Sequence, residues 1–469
     1  MTVADIFSII LYLVMTVSLG GVFFSAVSAP KMLRNGAAFY LVGQLLWLLL
    51  FLLSIWLHLP AAAVVWNFGV LAAGWCGLMV WRSRENLRSA IAAVAVIVAV
   101  CALCFPQVIY MLLREPLIEW DARSIWFFHA KGIWVHGGIA AEFFTNRRHG
   151  WSHTDYPLLL PVQAAVIGVL RGEWSEPAVK GFLFLNFAAY LWLLQRILVQ
   201  RGWGMVSAWA FAVPVMGIAF KSYVNGYADN HYAMPLMLAM LLAFKKRVDE
   251  GELLLAGLMT AFALNIKNES ALYVLTGLAL WALFRYIKGG LPTLRLGRSA
   301  CGWSIFVLGL LPFILWAMFK MSYGIKGDMH FSSRLLHPVD SVAVCLERAP
   351  HILNALGIVY RIMRAHILTA VILLLNVLHM VSVRRDKSGT ARVITVEERI
   401  FWAMLLTVNL MIFAVYAMTP HDVDWHLGTS VGRLVILPVL MLIPLLVCAV
   451  EKLMGIYCSE EPAADRRSS

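Results

Sequence analysis

Apolar runs of about 20 residues recur along this chain, the length an α-helix needs to cross the hydrocarbon core of a bilayer. Lipid offers the backbone no hydrogen-bond partner, so such runs restrict the fold to helices packed side by side. Spans are expected at residues 5–29, 38–58, 62–81, 89–113, 182–199, 205–221, 233–245, 252–266, 270–286, 302–320, 366–383, 400–418 and 433–450. Those beside Asp229 and Lys267 are short, which suits helices that stop at a polar site inside the membrane thickness. The composition agrees: 61% of residues are hydrophobic and 14% charged, where a soluble domain is nearer half apolar and a quarter charged. The expected fold class is an all-α polytopic membrane protein with about thirteen transmembrane helices.

A net charge of +12 raises nucleic acid as a partner, but Lys and Arg concentrate in short loops between apolar runs. That is the positive-inside pattern, and it reports orientation. Lys31 and Arg34, then Arg82, Arg84 and Arg88, then Lys245, Lys246 and Arg247 mark the cytoplasmic side. So do Arg285, Lys288, Arg295 and Arg298, and Arg384, Arg385, Lys387, Arg392 and Arg399. The apolar stretch from Leu158 to Leu170, about 13 residues, is too short to span. If it crossed, every later basic loop would change sides, so it is expected as a helix lying on the outer membrane surface. The N-terminus is then outside and the C-terminus in the cytoplasm.

The expected organisation is N-terminal transmembrane helices over 1–113 and an extracytoplasmic catalytic loop with juxtamembrane helices over 114–181. Core transmembrane helices follow over 182–320, then a second extracytoplasmic loop over 321–365. Transmembrane helices over 366–450 precede a polar cytoplasmic tail, 451–469. The seven cysteines are odd in number and lack zinc-ligand spacing, so they read as small buried hydrophobes rather than a disulfide framework. No Gly-rich phosphate loop with Lys-Ser/Thr occurs, which argues against ATP-driven transport, and no Gly-x-Ser-x-Gly elbow occurs.

Polar clusters at the ends of spans are costly to place and are therefore functional candidates. With this topology Glu119 and Asp121, Asp155 and Tyr156, Asp229, Lys267 and Glu269, and Asp424, His426 and Arg433 all emerge on the outer side. Asp121 is the candidate general base: it follows a span and is flanked by Trp120 and Trp126, where partial desolvation would raise its pKa. An interfacial acid beside an aromatic belt is the bland alternative. Asp229 follows Gly226, which permits a tight turn, and reads as an acceptor-orienting acid, a metal ligand or a helix cap. Lys267 can meet a phosphate as a point charge, or neutralise Glu269 within a turn. Asp422 and Asp424 could hold a divalent metal or be solvated acids, and Arg433 could fork a phosphate. Lys131 sits among His129, Arg147, Arg148, His149 and His153, a group able to dock anionic headgroups.

Several of these stretches resemble the GT-C superfamily of polyprenyl-phosphate-sugar glycosyltransferases, with protein O-mannosyltransferases and the aminoarabinose transferases of lipid A among them. Glu119-Trp120-Asp121 resembles the acid-bearing start of their first outer loop. His153-Thr154-Asp155-Tyr156-Pro157-Leu158-Leu159-Leu160-Pro161 resembles their Pro-Leu motif before a surface helix. Gly226-Tyr227-Ala228-Asp229 is similar to the acid of the second outer loop, and Ile266-Lys267-Asn268-Glu269-Ser270 to a Lys-bearing turn. Trp425-His426-Leu427-Gly428-Thr429-Ser430 with Arg433 is similar to a motif of bacterial members. The usual adjacent acid pair is here Glu119-x-Asp121, and three spans precede residue 89 where one is usual.

The resemblance implies inverting transfer of a sugar from a polyprenyl-phosphate donor to a lipid, glycan or protein acceptor outside a bacterial inner membrane. Asp121 would be the base, with Asp229 beside it. Lys267, Arg433 and Lys131 would bind the donor phosphate. Glu119, Asp155, Tyr156, Glu269, Asp424 and His426 would orient acceptor or sugar. No cofactor is implied beyond a divalent metal in some members. A flippase of lipid-linked saccharides and an envelope-polysaccharide polymerase or ligase are the competing classes; clustering of the polar residues on one side speaks against the flippase.

Overall fold

A computed structural model describes residues 1–27, 29–82, 99–100, 103–218, 224–245, 248–287, 300–325, 338–385 and 395–455. Among these residues there is no strand, and eight helices are long and apolar enough to cross a membrane. The protein is an all-α, multi-pass membrane protein. Much of the expected span 89–113 lies outside the described residues. So do Arg84, Arg88, Lys246, Arg247, Lys288, Arg295, Arg298, Lys387, Arg392 and the tail from residue 456.

The chain divides into two compact units. The first comprises Met1–Ala243, Arg247–Leu275 and Leu291–Asp328. It begins with α1 (Val3–Ala26), α2 (Gly36–Leu57) and α3 (Ala61–Arg82). A Thr2–Asp5 capping box starts α1 and the Asn35 side chain caps α2, so both helices open with their first N–H groups met. Where α1 and α2 cross, a Cβ on Gly20 would lie 1.9 Å from the Phe39 carbonyl oxygen, and one on Gly43 1.9 Å from that of Thr16. Small residues bring the two backbones into contact, the usual device for helices in lipid.

Next come α4 (Pro106–Arg114), α5 (Phe127–Val135) and α6 (Leu159–Arg171). The helix expected near 158–170 forms as α6, but it does not lie bare on a surface. Leu159 to Gly168 are buried, and α6 packs on α1, α2 and α5. Its Gln163 accepts from the Tyr12 hydroxyl (2.8 Å) and donates to the Gln44 carbonyl (3.1 Å). Protein polar groups therefore stand where headgroups were expected. From Gln44 the polar chain continues to Asn186 (2.6 Å), on α7 (Gly181–Gln200), and from Asn186 to His231 (3.3 Å). The unit is completed by α8 (Met205–Ile218), α9 (Asp229–Ala243), α10 (Glu250–Leu264), the start of α11 (Asn268–Ile287) and α12 (Ala300–Tyr323). Both α9 and α10 have 15 residues, shorter than the ~20 a simple crossing needs. Asn265, just past α10, donates to the Ala261 and Gly309 carbonyls (2.9 and 2.8 Å) and so ties that helix end to α12.

The second unit holds the rest: Phe244–Lys246, Thr276–Gly290 and Met329–Ser469. Its main helices are α13 (Pro338–Ile362), α14 (Ala365–Arg385), α15 (Val396–Met418), α16 (Val423–Leu434) and α17 (Ile436–Leu453). Two expectations change here. The segment 321–365, expected as a loop, contains α13, whose Val342–Ile362 stretch is long and apolar enough to span. Asp340, Glu347, Arg348 and His351 interrupt its apolar run and hide it in the sequence. The stretch around Asp424, expected as a loop, is the helix α16, with the Asp422 carboxylate accepting from the Trp425 N–H (2.8 Å). Arg348 reaches the Thr419 carbonyl (2.8 Å) and caps the open end of α15. Lys452 donates to both carboxylate oxygens of Glu398 (2.7 and 2.9 Å), joining α17 to α15 inside the unit.

Candidate functional site

In the first unit, stretches far apart in sequence close into a ring of polar and aromatic contacts. Asp121 begins it. It is 9% exposed and immediately precedes a π-turn, Ala122–Trp126, that runs into α5. One extra residue per turn re-aims the side chains that follow, which is why such turns recur at functional sites. Trp120, on one side of Asp121, is exposed, whereas Trp126 is buried. The Trp126 indole stacks on Tyr156 (5.5 Å between centroids), and the Tyr156 hydroxyl donates to Glu269 (3.3 Å).

From Glu269 the ring passes to Lys267 (3.5 Å) and from Lys267 to Asp229 (2.9 Å). Asp229 opens α9, but its Oδ1 accepts from the ammonium rather than capping its own helix. Two residues earlier, the Tyr227 hydroxyl donates to Glu119 (2.8 Å), which returns the ring to within two residues of Asp121. Gly226 makes this closure possible. Its φ of +91° is a conformation that favours glycine, and a Cβ there would lie 2.6 Å from that of Ala122. The 225–229 turn therefore rests directly on the residue after Asp121.

Asp155 attaches from the side. Its carboxylate accepts from Asn268 (2.6 Å), and its carbonyl accepts from the Trp316 indole (3.2 Å) and the Lys320 ammonium (3.0 Å). The His153 ring stacks on Tyr156 (5.0 Å).

Electrostatics fix the protonation of the ring. Burial alone would lower the Lys267 pKa, but the Asp229 and Glu269 carboxylates outweigh it and hold the ammonium well above its ordinary value. Lys267 is therefore charged and already engaged by two acids. Burial, then the Glu269 carboxylate, pushes the Tyr156 phenol well above its ordinary value, so it is a hydrogen-bond donor at neutral pH. Burial and the bond to Glu119 do the same for Tyr227.

Of the residues singled out in the sequence, Glu119, Asp155, Tyr156, Asp229, Lys267 and Glu269 meet in one network, with Asp121 on its rim. Lys131 is exposed on α5. His129, two residues earlier, is buried against Ser152, and burial followed by the nearby His153 lowers its pKa to about 3. Asp424, His426 and Arg433 belong to the second unit. There Asp424 pairs with His351 (2.9 Å), His426 contacts the Thr419 hydroxyl (2.8 Å), and Arg433 donates to the Thr429 carbonyl (3.2 Å). Among the described residues no group of three or more His, Cys, Asp or Glu side chains is placed to hold a metal ion, so the Asp422/Asp424 pair gains no support as a metal site.

Sequence reasoning missed Trp126 as a contact residue, and it missed Tyr232 and Lys320. Tyr232 lies three residues after Asp229, on the same helix face, which is the signal that could have found it. Lys320 is the one cation in the last turn of an apolar run. It forms no ion pair among the described residues. Compared with protein-family models, with curated proteins and with solved structures, the chain matches none.

Proposed function

We propose that this protein is an inverting membrane glycosyltransferase. It would move a sugar from a polyprenyl-phosphate donor to an acceptor on the extracytoplasmic face of a bacterial inner membrane, in a GT-C-like fold of about thirteen spans. The observation that carries the reading is the closed ring from Glu119 through Tyr227, Asp229, Lys267, Glu269 and Tyr156 to Trp126, with Asp121 between its two ends. Acids of different surroundings set side by side in an otherwise apolar molecule suit proton abstraction next to substrate orientation.

In this reading Asp121 takes the proton of the acceptor hydroxyl while that oxygen bonds to the anomeric carbon. The bond from that carbon to the phosphate oxygen breaks, and the electron pair leaves with the prenyl phosphate. Lys320 and Lys131, both in the first unit, supply positive charge for the phosphate. Lys267 holds Asp229 and Glu269 in place.

Mass spectrometry of envelope glycans and glycolipids tests this, in cells with the gene, without it, and with Asp121→Asn. A product heavier by one sugar residue should appear with the intact gene alone. The same product from the Asp121→Asn gene, expressed to the same level, removes Asp121 as the base.

A saccharide flippase is the second reading, favoured by the buried chain Tyr12, Gln163, Gln44, Asn186, His231. It predicts saccharide movement across vesicles with no glycan gaining mass.

A further inference from the structure

Four polar atoms around Lys267 have no hydrogen-bond partner among the described residues: Asp229 Oδ2, Glu269 Oε2, Trp126 Nε1 and the Tyr232 hydroxyl. Asp229, Trp126 and Tyr232 are at most 2% exposed. Leaving such a group unpaired in an interior forfeits its solvation with nothing in return, so several unpaired groups in one cluster ask for an explanation. They do fall in one cluster. Trp126 stacks on the Tyr156 that donates to Glu269, and Lys267 links Glu269 to Asp229. The charges of Asp229, Lys267 and Glu269 all act on the Tyr232 phenol.

The chemistry of these atoms selects a ligand. Two are carboxylate oxygens that only accept, the indole N–H only donates, and the phenol does either. Two carboxylates against one ammonium leave the cluster net negative, and that ammonium is already held by both acids. A phosphate would be repelled by both carboxylates, and their two free oxygens, which only accept, would stay unpaired. A ring of hydroxyl groups meets every requirement, because each hydroxyl both donates and accepts. We infer that the Lys267 cluster binds the hydroxyl groups of a neutral sugar, and that phosphate is bound elsewhere. This deepens the glycosyltransferase reading and rests on it for where the sugar comes from, donor or acceptor. The chemistry of recognition is the same for either.

The test is binding without turnover, on the full chain in nanodiscs, read by thermal unfolding. The probes are methyl glycosides of several neutral hexoses and pentoses, inorganic phosphate, farnesyl phosphate, and farnesyl phosphate esterified to the same sugars. At least one methyl glycoside should raise the melting temperature, and inorganic phosphate at equal concentration should not. Tyr232→Phe and Trp126→Phe should each weaken glycoside binding tenfold or more. Tyr232→Phe should not lower the melting temperature of the free protein, since it removes an oxygen that has no partner among the described residues. Trp126→Phe also truncates a buried ring stacked on Tyr156 and should lower it, so its binding is compared well below melting.

Weakening of the farnesyl-linked sugar to the same extent assigns the donor's sugar to the cluster; weakening of the methyl glycosides alone assigns the acceptor's. No shift with any glycoside overturns the inference. So does equal glycoside binding by Tyr232→Phe, Trp126→Phe and the native protein, or phosphate binding that Lys267→Met abolishes. If Tyr232→Phe lowers the free protein's melting temperature and leaves glycoside binding intact, the atoms serve internal water only, and the inference falls. Binding is read here without turnover, so failure of the transfer reading, seen in the glycan masses, is distinguished from failure of this inference.

Discussion

Lys267 and Lys452 are both buried against carboxylates, and they are satisfied to different degrees. Lys452 meets both oxygens of Glu398, and one of those oxygens also accepts the Thr395 N–H (2.8 Å) at the start of α15. Asn376 accepts from the same ammonium. Both oxygens of Glu398 are taken, by an ammonium that joins helices and by the cap of its own helix. Lys267 uses one oxygen of Asp229 and one of Glu269, and the other oxygen of each has no partner among the described residues. A fully met buried pair fixes a fold; a half-met one keeps hydrogen-bonding capacity for something else. The difference separates a structural ion pair from a site more clearly than burial or charge does.

The largest expected effect is at neither lysine. Asp121→Asn should cut transfer by about 100- to 10,000-fold, the usual worth of a general base, with an unchanged melting temperature. Rates on purified protein in liposomes check this. Next, Lys267→Met and Lys452→Met should each cost about 3–5 kcal/mol of stability, because each strands a buried carboxylate. Equilibrium unfolding should show similar losses, whereas transfer per folded molecule should fall for Lys267→Met alone. Gly226→Ala should come third. It forces a Cβ against Ala122 at a φ of +91° and should cost about 1–3 kcal/mol by overpacking. It should slow transfer by shifting Asp229, and a rate equal to the native protein's would detach that turn from the site.

The smallest effect is on pH dependence. Folding holds the His129 pKa at about 3 against an ordinary 6.5, so the unfolded chain binds its proton first. Stability from this residue is fully present above pH 6.5 and declines as pH falls toward 3. Lys267 is shifted the other way, so its contribution is whole below its ordinary 10.5 and is lost as pH rises from there through its raised value. Melting temperatures should thus be flat from pH 7 to 9 for the Lys267 contribution. They should fall below pH 6.5, with a shallower fall in His129→Gln.

Much of the helical layout was legible because lipid leaves an apolar run of spanning length a single option. Bounds such as 38–58 and 400–418 fall close to Gly36–Leu57 and Val396–Met418. What covers a helix was not legible. The apolar run of α6 looks the same whether headgroups or α1 and α2 lie over it, and only the Gln163 contacts decide. The helix α13 escaped notice because its charged residues break the run. In the site, charged residues at span ends declared themselves by their cost. Trp126 and Tyr232 did not, since an aromatic ring beside a span reads equally well as packing or interface. The pairing of Lys267 with Asp229, 38 residues apart, could not be read from either stretch alone.

The most direct measurement compares the initial rate of sugar transfer per folded molecule in Lys267→Met and Lys452→Met, well below either melting temperature. The account predicts a native rate for Lys452→Met and at least a tenfold lower rate for Lys267→Met. Equal rates in the two variants would contradict it.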